Sequence, residues 1–329
     1  MKMLAVTLAA LMVIASTGCG TDSTPQTLTY VAHGSDNVPH LFKLNVTTKA
    51  TTAVAITIPT SVWYVTANRN ASAVAYERND ANGDHIFYMG MDSVEKQLTT
   101  DLTAFAPVFS PNGKTIAYND LPANSNYEIF TMNLDGTNQK ALYAPPVGTL
   151  SQFFPQFSPD SKSVVFYIAL GCGPNANQVK PELHIRNGYH KNTSSSCAGP
   201  QSGTPSQNGW YTMALTDTTP TLVYPTNNWW GPPVYSVDGK KLFVSDYDGT
   251  QWNIFSVNID GTGITELTTN TDVESFSAVP YQTGVLFNRN SSDNSTWDIY
   301  TMDQIGANQV LVNSTPSTYE SLVDAFWSD

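Results

Sequence analysis

Charge is scarce in this chain. Only 13% of its 329 residues are charged, and 15 basic residues face 27 acids, a net charge of −12. A surface so poor in cations cannot neutralise phosphates along its length, so nucleic acid is excluded as a general partner. Cysteine is equally thin, at 3 residues, which excludes a disulfide-dense scaffold and a four-cysteine zinc site. No apolar run reaches the roughly 20 residues that a membrane-spanning helix needs. Catalytic signatures are missing too: there is no Gly-x-Ser-x-Gly elbow, no His-Glu-x-x-His and no phosphate-binding loop. The expectation is a protein that is not an enzyme and carries no metal and no cofactor.

What the chain does have is a repeat. An apolar residue followed by an aromatic recurs at Leu41-Phe42, Ile86-Phe87, Ile129-Phe130, Trp210-Tyr211, Ile254-Phe255 and Ile299-Tyr300. The aromatic positions step by 45, 43, 81, 44 and 45 residues. The long step is one repeat carrying an insertion, at about 171–208. A repeat of about 40–45 residues built of short alternating runs predicts a β-propeller.

The third repeat shows the unit. Ala106 to Ser110 reads as a strand, Pro111-Asn112-Gly113-Lys114 as a turn and Thr115 to Asn119 as the return. Tyr127 to Leu134 and Gln139 to Tyr143 follow, joined by Asp135-Gly136. Asn-Gly and Asp-Gly favour tight hairpins because they tolerate positive φ. The second and sixth repeats look degenerate at the first turn. The first lacks an opening strand, while Ala325 to Asp329 resembles Val108-Phe109-Ser110-Pro111. The expected fold is therefore all-β: one six-bladed propeller of four-stranded blades over residues 28–329, closed by the C-terminal strand pairing with the N-terminal blade.

Phe-Ser-Pro-Asn-Gly-Lys at 109–114 and Ile-Phe-Thr-Met-Asn-Leu-Asp-Gly at 129–136 resemble the TolB-type, WD40-like propeller repeat. The resemblance implies six blades and a place in the cell envelope. TolB itself also carries an N-terminal α/β domain. Here the propeller starts within about ten residues of Cys19, so the resemblance implies a repeat type and not a pathway.

Residues 1–18 read as a signal peptide, with Lys2 before an apolar stretch from Met3 to Ile14. Ala15-Ser16-Thr17-Gly18-Cys19 resembles a bacterial lipoprotein processing site, which makes Cys19 the lipidated residue and 19–27 a tether. Ordinary secretion is the alternative. Either reading exports the chain, the first to a membrane through a lipid anchor. Export favours a disulfide between Cys172 and Cys197. These cysteines with His184 and His190 also have the ligand types for zinc, but without close Cys-x-x-Cys or His-x₃-His spacing.

The loops leading into the first strands, and those between second and third strands, share one face of a propeller. Trp63, Phe153, Phe154, Trp229 and Trp230 fall there, beside a basic insertion with Lys180, His184, Arg186 and His190. Aromatic faces at a channel mouth stack on peptide side chains or on sugars; packing between blades is the alternative. Adjacent Trp229 and Trp230 should point opposite ways in an extended segment. His40 and His85 share a repeat position with Glu128, Asn253 and Asp298, which reads as a structural slot. Asp80-Ala81-Asn82-Gly83-Asp84, and Asp246 with Asp248, weakly resemble calcium loops, but solvated turns explain them as well. The box of sialidases is absent, since Ser236-Val237-Asp238-Gly239 is one residue too tight. The sequence thus predicts a monomeric, non-catalytic envelope lipoprotein binding an unidentified protein or peptide on the channel face. The alternative is a propeller that binds or acts on carbohydrate.

Overall fold

The computed structural model describes residues 27–33, 39–45, 51–59, 62–81, 83–100, 103–122, 126–144, 150–170, 205, 207–228, 232–269, 275–281, 284–290, 296–316 and 325–328. The leader, Cys19, the insertion with Cys172, Lys180, His184, Arg186, His190 and Cys197, and the pair Trp229-Trp230 lie outside them, as does the side chain of Trp63.

Every regular element described is a β-strand, and the strands form six four-stranded antiparallel sheets. Sheet one holds β1 (Thr27–His33), β2 (Pro39–Asn45) and β3 (Thr51–Thr57). Sheet two holds β4 (Val62–Ala67), β5 (Ala73–Asp80), β6 (Gly83–Gly90) and β7 (Glu95–Gln97). Sheet three holds β8 (Phe105–Phe109), β9 (Thr115–Asp120), β10 (Glu128–Asn133) and β11 (Lys140–Ala141). Sheet four holds β12 (Leu150–Phe157), β13 (Ser163–Leu170), β14 (Gly209–Ala214) and β15 (Thr221–Pro225). Sheet five holds β16 (Val234–Tyr235), β17 (Lys241–Tyr247), β18 (Trp252–Asn258) and β19 (Thr265–Glu266). Sheet six holds β20 (Ser275–Tyr281), β21 (Gly284–Asn290), β22 (Thr296–Asp303) and β23 (Val310–Pro316). The last strand, β24 (Ala325–Ser328), pairs with β1, Leu28 opposite Trp327. Sheet one is thus built from both ends of the described chain, in the order β24-β1-β2-β3.

Apolar side chains collect between neighbouring sheets. Leu41 and Ile56 of sheet one form one layer with Val74, Tyr76 and Phe87 of sheet two. Ile86 and Leu98 meet Ile116 and Met132 between sheets two and three. Val108 and Ile129 meet Phe157 and Phe166 between three and four. Val165 and Trp210 meet Leu242 and Val244 between four and five, and Phe243 and Ile254 meet Val285 and Phe287 between five and six. Each fully buried Leu, Val or Phe contributes about 1.5–3 kcal/mol, so the sheets are held face to face by these layers.

The turns carry repeated chemistry. In sheet three Asn112 Oδ1 accepts from Ser110 Oγ (2.9 Å) and Lys114 N (3.0 Å), and Ser110 Oγ accepts from Thr115 N (2.9 Å). Asp160 and Ser158 repeat this in sheet four, Asp238 and Ser236 in sheet five. The second repeat, degenerate by sequence, keeps the turn. Asn68 stands where the others have Ser, and its Oδ1 accepts from Ala73 N (3.0 Å) while Asn70 Oδ1 accepts from Ser72 N (3.2 Å). An amide oxygen serves where a hydroxyl oxygen did. The fourth residue is left-handed throughout: Ala71, Gly113, Ser161 and Gly239 at φ 55, 67, 61 and 70°. The sixth repeat does differ, since its register puts Tyr281 opposite Gly284.

Candidate functional site

The two ends of the sheets differ in how their polar groups are spent. At the hairpin end, the first-to-second and third-to-fourth turns consume their own side chains. Asp135 Oδ1 accepts from Thr137 N (3.0 Å) and Thr137 Oγ1 (2.6 Å), and Asp260 does the same with Thr262 at 2.9 and 2.6 Å. Those threonine hydrogen bonds hold both carboxyls below the usual carboxylate range. Gly136 and Gly306 seat these turns on the preceding sheet: a Cβ would lie 2.9 Å from the Leu98 carbonyl oxygen and 2.4 Å from that of Leu267. This end is architecture.

At the opposite, loop end, each first strand of sheets two, three, four and six carries a bulge after an aromatic residue: Trp63, Phe105, Phe153 and Phe276. The extra residue is left-handed at Tyr64, Ala106 and Phe154, φ 46, 49 and 56°. Left-handed backbone is uncommon for bulky side chains and marks positions fixed by their surroundings. A bulge leaves one backbone N–H surplus. Pro107 and Pro155 remove that donor, and Asn119 satisfies the other. The amide of Asn119, fully buried on β9, reaches into sheet four, donating Nδ2 to Gln152 O (2.7 Å) and accepting from Phe154 N (2.9 Å).

The bulge also decides where the expected aromatics go. Tyr64, Phe105, Tyr127, Phe153 and Phe154 form a closed circuit of ring contacts, with centroids 5.4–6.3 Å apart. Phe153 and Phe154 are 6% and 4% exposed. The alternation that should send adjacent residues to opposite sides fails here, because the left-handed Phe154 returns its ring to the same cluster as Phe153. These two rings therefore form wall rather than free stacking surface. Burial, then the Asp84 carboxylate, pushes the Tyr127 hydroxyl up.

A second assembly joins sheets four and five. Asp246 Oδ1, at the end of β17, accepts from Thr226 Oγ1 (2.9 Å), Asn228 Nδ2 (3.1 Å) and Tyr247 N (2.8 Å). Tyr167 donates its hydroxyl to Thr226 O (3.0 Å). Asn208, where the insertion rejoins β14, accepts from Leu170 N (2.7 Å) and donates to Asn227 Oδ1 (2.8 Å). The base of the insertion and the segment 226–228 are thus tied to one buried carboxylate. Burial raises the pKa of Asp246 against the pull of its donors, Thr226 first. Trp229 and Trp230 follow that segment directly in the chain, so both sequence-predicted elements are rooted here. Sequence reasoning missed Asn119 and the role of Asp246. Aligning the repeats offers the signal: Asp120 stands at the place of Asp246 and takes Thr103 Oγ1 (2.8 Å) and Leu121 N (2.8 Å) in the same way.

The other candidates resolve simply. Asp248 spends Oδ1 on Thr250 and Gln251 and Oδ2 on Asn253 (2.8 Å), so it closes a turn. Among the described residues no group of three or more His, Cys, Asp or Glu is placed to hold a metal ion. In the recurring slot, Asn253 takes Thr268 Oγ1 (3.2 Å), the structural arrangement expected. His85 is buried in the same slot. Among the buried atoms near this end that have no hydrogen-bond partner among the described residues are His85 Nδ1, Asn126 Nδ2, Gln152 Oε1 and Trp210 Nε1.

No protein-family model matches this chain, and no curated protein matches it in sequence. Solved structures do. TolB from Acinetobacter baumannii is similar at TM-score 0.60 and 16% identity, over 92% of this chain and 66% of that one. A putative TolB from Agrobacterium tumefaciens is similar at 0.59 and 13% identity, over 93% and 98%. Oligogalacturonate lyase from Vibrio parahaemolyticus is similar at 0.57 and 11% identity, over 90% and 74%. This chain therefore spans just under two thirds of the Acinetobacter protein and nearly all of the Agrobacterium one. At such identities the likeness speaks for the fold alone. Together with the repeated four-stranded sheets and the apolar layers between them, it gives this chain a β-propeller fold like that of the TolB structures.

Proposed function

We propose that the six sheets close into one six-bladed ring, and that the protein is a non-catalytic lipoprotein of the bacterial cell envelope binding a protein or peptide on its loop face. The observation that carries the binding face is the inequality of the two ends: hairpin side chains are spent on their own turns, whereas the loop end holds strained bulges and buried polar atoms, such as His85 Nδ1 and Asn126 Nδ2, without partners among the described residues. Pairing of β24 with β1 supports closure, because a strand borrowed from the far terminus fastens the ends of a ring. Likeness to TolB supports a binding role by analogy of fold. The leader ending at Cys19 supports the anchor and the envelope location, and the basic insertion with its cysteine pair supports a framed site.

The test is a random-peptide display selection against the purified protein. Binders should be lost with the double variant Trp229→Ala, Trp230→Ala and retained with the hairpin-end variant Lys114→Ala, Lys240→Ala. Loss only in the hairpin-end variant overturns the assignment of the face. A second reading, binding or cleavage of carbohydrate, draws on the oligogalacturonate lyase neighbour. Binding on a glycan array, with no peptide recovered, establishes that reading instead.

A further inference from the structure

One place in the repeat lies opposite the polar slot that precedes each apolar-aromatic pair. It is held by Ala32, Arg78, Asp120, Ile168, Asp246 and Arg289 in sheets one to six. The two carboxylates among them do the same job, which is to hold the crossover that enters their own sheet. Asp120 Oδ1 accepts from Thr103 Oγ1, and Asp246 Oδ1 from Thr226 Oγ1. Each also takes the next backbone amide, Leu121 N or Tyr247 N.

Around Asp246 this clamp extends into the preceding sheet. Thr226 Oγ1 accepts from Asn228 N (2.9 Å), and Asn228 Nδ2 donates to Asp246 Oδ1 (3.1 Å). Asn227, between those two residues, accepts at Oδ1 from Asn208 Nδ2 (2.8 Å), while Asn208 Oδ1 accepts from Leu170 N (2.7 Å). Leu170 ends β13 and Asn208 precedes β14, so these are the strand ends on either side of the insertion. The fit there is close: a Cβ on Gly209 would lie 2.4 Å from the Tyr224 carbonyl oxygen. Tyr167 closes the assembly by donating its hydroxyl to Thr226 O.

The members of this path depend on one another. Thr226 and Asp246 are buried, so a donor that swings away strands its partner in the interior, which favours all of the bonds made or all released. The path also carries an aromatic. Tyr247 is fixed through its N–H by Asp246 and through its carbonyl by Asn228 Nδ2 (3.4 Å). Its ring lies 5.9 Å from that of Trp252 and stands 37% exposed at the loop end. We propose that Asn208 and Asp246 are the two ends of one latch across sheets four and five. It makes the strand ends beside the insertion, the crossover 226–228 and Tyr247 hold or release as a unit, so that an event at one is felt at the others. This coupling goes beyond the binding reading and is the same whether the face takes peptide or carbohydrate.

The test is residue-resolved amide hydrogen exchange of the purified protein. Asn227 is exposed and bonds to none of the amides of Leu170, Asn228 and Tyr247. Asn227→Ala should nonetheless speed exchange at all three by at least about fivefold. Thr226→Val should speed Leu170 as well as Asn228 and Tyr247. The amides of Val165 and Phe243, in the middle of β13 and β17, should keep their rates. Thr103→Val, at the other clamp, should speed Leu121 and leave the three unchanged. An Asn227→Ala protein in which either Leu170 or the pair Asn228 and Tyr247 is unmoved overturns the latch. So does a Thr226→Val effect confined to Asn228 and Tyr247. Equal acceleration at Val165 and Phe243 overturns it too, because that is loss of global stability rather than release of a unit.

Discussion

The hairpin end and the loop end of these sheets are made of the same residue types, yet they spend them differently. At the hairpin end, Asn112, Asp135, Asp160, Asp238 and Asp260 each sit at the surface and close their own turn. At the loop end, Asn119, Gln152 and Asp246 are buried and reach across to other segments or sheets. A polar group that bonds within four residues fixes a local shape and nothing more. A polar group that bonds across sheets fixes the relation between sheets, and it costs more to disturb because its partners are left buried and unpaired.

Breaking this comparison should give a ranked set of effects. The largest belongs to the seam. Deleting residues 325–329 removes β24 and should lower stability by about 4 kcal/mol or more, in line with large losses of core; an unchanged denaturant midpoint would sink the closure. Next is Asn119→Ala, which strands Phe154 N and Gln152 O in the interior and should cost about 3 kcal/mol in urea unfolding. The hairpin end supplies a graded pair. Gly306→Ala forces a Cβ to 2.4 Å from the Leu267 carbonyl oxygen at φ +85°, whereas Gly113→Ala meets nothing within 4 Å at φ +67°. The first should cost about 3 kcal/mol and the second about 1 kcal/mol, the difference being the contact between sheets. Equal costs would mean that the turn alone matters.

The smallest effect is one of pH. Burial raises the pKa of Asp246 in the folded state above the unfolded carboxylate value of about 3.9. The folded state then holds the proton more tightly than the unfolded one. Its contribution is fully present below the unfolded value and is lost as pH rises through the folded one. Relative to Asp246→Asn, the wild type should therefore lose stability between about pH 4 and neutrality. Thermal melts of both proteins across that range check it, and parallel curves would show that the carboxylate is not perturbed.

Much of the fold was legible because its signals are local. The strands of the third repeat fall within two residues of where alternation and the Asn-Gly and Asp-Gly pairs put them. The second repeat's turn was hidden because Asn68 does the work of serine, which a search for Ser-x-Asx cannot see. Phe153 and Phe154 were legible as aromatics at the right end of the sheet. Their burial was not, because it depends on one left-handed residue and on an asparagine from the neighbouring sheet.

By itself, then, the sequence determined the repeat, the strand order within each sheet, the turn residues, the acidic balance and the place of the insertion between β13 and β14. Each of these rests on spacing, on residue type or on contacts within a few residues. Tertiary structure alone decided which polar groups are turn closures and which are inter-sheet clamps, and which aromatics are wall. Those outcomes depend on what a side chain meets some 20 or more residues away in the chain, as Asp246 meets Thr226 and Asn119 meets Phe154, and no local pattern encodes that neighbour.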